Sequence, residues 1–204
     1  MNKVMVEFVA DELRIQEEYG RYLMARIVFI TGAPGSGKST VARLLAQRFP
    51  KSLHLQVDHL RDMMVNGAEL PGSDHGWNDE ASRQFQWARS TAIYMAQVYA
   101  AQGVDVFIDD VCIPAEFTDQ YAALFADPAV HRVLLLPTAA ALIARMQKRA
   151  GPYDQVLIEY VPWFYAYLEP MPKAGWIVLD TGDWTSEQTV QEVLACIGAL
   201  PKNA

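Results

Sequence analysis

The chain has 204 residues, 51% hydrophobic and 20% charged, with a formal net charge of −7 and a pI near 5.0. This length suits one domain with one sizeable core, and the acidic balance speaks against a nucleic-acid partner, which calls for the opposite sign. Cys112 and Cys196 lie far apart and give neither a disulfide framework nor a metal-ligand spacing; no apolar run approaches the roughly 18 residues of a membrane span, and no signal-peptide pattern opens the chain, so a cytoplasmic protein with no membrane partner is expected.

Residues 1–24 stand apart from the rest of the chain. Acidic and apolar residues alternate there at helical spacing, predicting a helix over 5–22 appended before a domain at 25–204. Met24, two residues before the first predicted strand, is a second candidate start. The domain alternates strands and helices. A short apolar run at 26–31 reads as a strand, followed by a Gly-rich loop and a helix over 38–48. A second strand over 53–57 ends at Asp58, and a helix is expected over 59–66. Residues 69–78 are irregular, with Pro71 and Asp74-His75. Asn78 caps a long helix over 79–102 that Gly103 stops. A third strand over 104–109 precedes a helix over 115–125. A fourth strand, 132–136, stops at Pro137, and Thr138 caps a helix over 139–149. Residues 155–168 read as a helix kinked at Pro162. A fifth strand at 176–179 and a last helix over 185–197, with Ser186 as an alternative cap, complete the domain.

Short apolar strands separated by helices predict a parallel sheet covered on both faces, a doubly wound α/β domain. Ligands of such sheets sit at the carboxyl ends of the strands. The residues to weigh are therefore those just past each strand: the loop after Thr31, Asp58, Asp109-Asp110, the segment after Leu136, and Thr181-Gly182.

Gly32-Ala33-Pro34-Gly35-Ser36-Gly37-Lys38-Ser39 matches the phosphate-binding pattern G-x-x-x-x-G-K-[ST], between a predicted strand and a predicted helix. Its glycines let consecutive N–H groups turn inward on phosphate oxygens, and the helix N-terminus behind them favours negative charge. Lys38 can reach the β- and γ-phosphates, Ser39 can ligate Mg²⁺, and Thr40 is placed for the α-phosphate. Asp109 is the first choice, and Asp110 the second, for the carboxylate that such a site needs at its metal.

Asp58 is placed to orient an acceptor hydroxyl and take its proton; it is equally a residue that caps helices. Arg61, one turn on, can meet the acceptor or the γ-phosphate, or serve as a solvated surface charge. Arg145 and Arg149 share a helix face, where they can clamp a transferring phosphoryl group or complement the helix C-terminus. Tyr153, Tyr160, Trp163, Phe164, Tyr165 and Tyr167 can stack on a ligand, though helical spacing favours core. Cys112 reads as a small buried residue, and His59 as structural.

These residues resemble the group of small P-loop phosphotransferases that contains chloramphenicol phosphotransferase, gluconate kinase and the zeta toxins. The resemblance runs from residue 26 to about residue 198 and rests on the P-loop, Val57-Asp58, Phe107-Ile108-Asp109-Asp110-Val111 and Leu179-Asp180-Thr181. Leu168-Glu169-Pro170 is similar to a gluconate-kinase segment, whereas the His- and Lys-rich acceptor segment of those enzymes is not reproduced in 59–67. The resemblance implies a three-layer α/β/α P-loop fold with five parallel strands in order 2-3-1-4-5. It also implies Asp58 as general base, Arg145 or Arg149 on the phosphates, and Thr181-Gly182 near adenine. The expectation is a kinase that moves the γ-phosphate of ATP, with Mg²⁺, to a small hydroxyl-bearing molecule, as a monomer or homodimer. A gluconate-type sugar-acid kinase and an NTP-binding regulator without an acceptor are the alternatives.

Overall fold

The structure is a computed structural model and describes residues 25–69, 78–111, 119–170 and 174–199. The expected helix over 5–22, Cys112 and His75 lie outside the described residues.

Five strands form one sheet: β1 Ile27–Thr31, β2 Ser52–Gln56, β3 Asp105–Asp109, β4 Val130–Leu135 and β5 Ile177–Leu179. Every pairing is parallel and the order is β2-β3-β1-β4-β5. β1 is buried along its whole length, as a β-branched and aromatic run must be at the centre of a doubly covered sheet. Alternation splits its side chains between two cores. Val28 and Ile30 pack with Val41 and Leu45 of α1 (Lys38–Ala46) and with Val190 and Val193 of the last helix. Ile27 and Phe29 pack on the other face with Ala88, Ala92 and Ala96 of the long helix. The result is three layers, with the P-loop at the carboxyl end of the central strand.

The other helices are α2 Val57–Asp62, α3 Asp79–Ala101, α4 Ala122–Phe125, α5 Ala139–Arg149, α6 Asp154–Glu159, α7 Val161–Leu168 and α8 Ser186–Cys196. Those with side-chain caps begin where the sequence places them. Asn78 Oδ1 accepts from Ala81 N–H at 2.8 Å, and Thr138 Oγ1 from Ala141 N–H at 3.2 Å. Thr185 forms a reciprocal capping box with Gln188, so Ser186 is the first helical residue and not the cap.

Two expectations are corrected. The helix expected over 59–66 starts at Val57, directly after β2, and ends at Asp62; its N-cap residue, Gln56, makes no side-chain cap bond. The single kinked helix expected over 155–168 is two helices, α6 and α7, with Pro162 in the first turn of α7. A proline there sacrifices no intrahelical hydrogen bond.

Candidate functional site

The P-loop joins β1 to α1. Gly32 has φ 151°, and a Cβ on it would stand 2.4 Å from Leu135 O and 2.7 Å from Ser36 Oγ; only glycine lets this loop close against β4. Gly37, at φ 98°, faces open space: nothing lies within 4 Å of an added Cβ. Gly37 is also the N-cap of α1 and supplies no side-chain cap, and the first turn carries no acid. The N-terminus of α1 is thus left to an external anion.

Lys38 is buried and donates from Nζ to Ala33 O at 3.3 Å. Burial lowers its pKa from the ordinary value, while the charges of Asp109, Asp58 and Asp110 pull it back up. Those carboxylates are therefore within electrostatic reach of the P-loop lysine.

β3 delivers Asp109 beneath Ser39, whose Oγ donates to Asp109 Oδ1 at 2.7 Å. The other oxygen of Asp109 is held by His54 Nε2 at 2.5 Å, and Gln56 Nε2 donates to Ser39 Oγ at 3.3 Å. No sequence motif marks His54 or Gln56. The β2–β3 register sets Gln56 opposite Asp109 and His54 two residues back on the same face.

Asp110 takes the opposite direction. Its Oδ2 accepts from Arg89 Nε at 2.6 Å and from the Tyr121 hydroxyl at 3.1 Å, all of them buried. Burial pushes its pKa up, and the Arg89 guanidinium opposes that shift. Of the two candidate metal carboxylates, Asp109 is the one on Ser39, and Asp110 is engaged with α3.

Asp58 is the second residue of α2, with its side chain 59% exposed and 3.7 Å from Arg61 Nη1. The capping role is corrected: α2 begins one residue before Asp58, so Asp58 cannot be its N-cap. The reading of Arg61 as a solvated surface charge is corrected too. Its side chain is 11% exposed, its guanidinium lies 3.6 Å over the Phe85 ring, and burial lowers its pKa.

Arg145 reaches across the loops, donating to the carbonyls of Ser36, Thr181, Gly182 and Trp184. It ties the P-loop to the segment after β5. A hollow of about 230 Å³ lies there, lined by Ser36, Gly37, Arg145, Thr181, Trp184 and Thr189. Ser36 Oγ and Thr181 Oγ1, on two of these lining residues, are buried and without hydrogen-bond partners among the described residues. Arg149 pairs with Asp154, holding that carboxyl down at about 2. Its charge still acts on Lys38. Thr40, in the first turn of α1, is exposed. Among the aromatics, Phe164 and Tyr165 pack against a core cluster, and the Tyr165 hydroxyl donates to Pro137 O. Tyr153, Tyr160, Trp163 and Tyr167 are exposed, so the expectation of core fails for them. His59 is exposed as well.

A family model described as an AAA domain matches residues 27–170. The chain belongs to this AAA-domain family. The match spans the P-loop, both β2 and β3 strand ends, and α5 with its two arginines. Several solved structures share the fold of this AAA-domain chain. A sugar kinase from Janibacter sp. HTCC2649 is 24% identical, over 87% of this chain and 96% of that one, with a TM-score of 0.62. A gluconokinase from Sinorhizobium meliloti 1021 is 18% identical, over 86% and 93%, at 0.57. The tunicamycin resistance protein of Deinococcus radiodurans is 16% identical, over 86% and 97%, at 0.62. No curated protein matches the chain. The common ground is the fold of small P-loop kinases. Among the described residues no helix is long and apolar enough to cross a membrane.

Proposed function

We propose that this chain is an ATP-dependent kinase that moves the γ-phosphoryl group to a hydroxyl of a small molecule, with residues 25–204 as its catalytic domain. The observation that carries this reading is Asp58. It is an exposed carboxylate with no capping duty, at the carboxyl end of the sheet, and its charge is felt by the buried Lys38.

ATP would lie with its phosphates in the loop from Gly32 to Ser39 and at the open N-terminus of α1, Lys38 trading Ala33 O for phosphate oxygens. The base would enter the hollow beside Arg145, Thr181 and Gly182, where the hydroxyls of Ser36 and Thr181, unpaired among the described residues, suit a polar guest. Ser39 and Asp109 offer the hard oxygen donors that Mg²⁺ prefers. When bound, that ion would neutralise phosphate charge. His54 and Gln56 keep the donor pair in place. Asp58 would orient the acceptor hydroxyl and take its proton as the phosphoryl group arrives. Arg149, held by Asp154 but with its charge acting on Lys38, would help steady the charge on the transferring group, and Arg145 would position the base.

The reading is tested by measuring ADP release from MgATP alone and with a panel of sugars, nucleosides and aryl alcohols. An acceptor should raise release above the water rate, and Lys38→Ala should abolish that increment. No increment across the panel, or a fully active Lys38→Ala, contradicts the reading.

A further inference from the structure

A second hollow, of about 180 Å³, opens between α2 and α3. Leu60 of α2, with Met63 and Met64 just after it, faces Trp87 and Ala88 of α3 across the hollow. Its polar residues are Arg61, Gln84 and Thr91. Gln84 is fully committed: its amide accepts from Glu69 N–H at 2.9 Å and donates to Gly67 O at 2.8 Å and Glu80 Oε1 at 2.9 Å. The Arg61 guanidinium lies on Phe85, donates to Glu69 O at 3.3 Å and sits beside Asp58. Arg61 Nε, without a partner among the described residues, is buried and presents almost no surface to the hollow. The nearby cation of α3, Arg89, is held by Asp110.

Arg61 belongs to both this hollow and the Asp58 pair, so the hollow opens onto the acceptor side of the site. A sugar acid placed here would need a polar partner for each hydroxyl and an uncommitted cation for its carboxylate. The walls instead offer thioethers, an indole and an aliphatic side chain. The volume suits one ring, since an apolar cavity of roughly 150 Å³ admits benzene.

We propose that this hollow seats an apolar, ring-sized group of the acceptor, which makes the acceptor an uncharged aryl or alicyclic alcohol. The proposal rests on the kinase reading for the word acceptor; the hollow's preference for a ring rests on its lining. Methionine walls adapt to more than one ring shape, so the class is broader than a single compound.

The test is ligand-observed saturation-transfer NMR on the full chain, with 2-phenylethanol and D-gluconate as probes. Ring protons of 2-phenylethanol should receive saturation and D-gluconate should not. Thr91 is an exposed position on α3, so Thr91→Trp can fill the hollow from the outside, with circular dichroism verifying the fold. It should weaken the 2-phenylethanol signal about tenfold or more, because the ring loses its burial, whereas Thr91→Ser should retain it. A stronger response from D-gluconate, or a 2-phenylethanol signal unchanged in Thr91→Trp, overturns the proposal. The readout is occupancy, so its failure is separable from a failure of phosphoryl transfer, which the ADP assay with Lys38→Ala reads.

Discussion

Single residues in this chain divide into those a motif announces and those only a register reveals. Lys38 and Ser39 are named by the P-loop pattern, and Asp109 by its place at the end of an apolar strand. His54 carries no such mark. It reaches Asp109 because β2 pairs with β3 in one particular register, and a contact between residues 55 apart in sequence leaves no local trace. Asp110 shows the converse. Its place beside Asp109 makes it resemble a second ligand, but strand alternation turns it into a buried pair with Arg89. The Arg149–Asp154 pair allows a direct test at this scale. The guanidinium holds the Asp154 carboxyl at about 2, against an ordinary 3.8, so the unfolded chain binds more protons in that window. Stability from the pair is present above about 3.8 and lost as pH falls towards about 2. Melting of the native chain and Asp154→Asn should therefore differ near neutrality and converge over that descent. A constant difference throughout would show that the ion pair is not its source.

At the scale of elements, legibility depends on the caps. Asn78, Thr138 and Thr185 mark the starts of α3, α5 and α8 because an Asn or Thr side chain there replaces a missing backbone partner. α2 has no side-chain cap, and Asp58 draws the expected boundary two residues too late. Because α2 starts at Val57, Asp58 has no capping duty. Pro162 predicts a kink, whereas Tyr160 caps the end of α6 and the proline sits in the first turn of α7. The capping box of α8 gives the prediction here. Thr185→Ala removes the side-chain half of a reciprocal bond and should cost about 1 kcal/mol, roughly 2–4 °C in Tm for a domain of this size. A Tm unchanged in differential scanning calorimetry would show that tertiary packing alone holds α8.

For the whole molecule, alternation of short apolar strands with helices is enough to predict a parallel sheet covered on both faces. The order 2-3-1-4-5 comes from resemblance to the small P-loop phosphotransferases, and the sheet has that order. The hollow proposed for the acceptor is not legible in the sequence, because its walls come from α2, the residues just after it and α3, and only the packing between them brings these together. In the proposed kinase, one domain has two halves: a P-loop half that holds MgATP, and an Asp58 half that prepares the acceptor. Asp58→Asn separates them. With an acceptor found in the ADP assay, the variant should bind MgATP with nearly native affinity by calorimetry while phosphoryl transfer falls about 10²-fold or more, as for loss of a general base. Native transfer rates in Asp58→Asn would contradict the central claim.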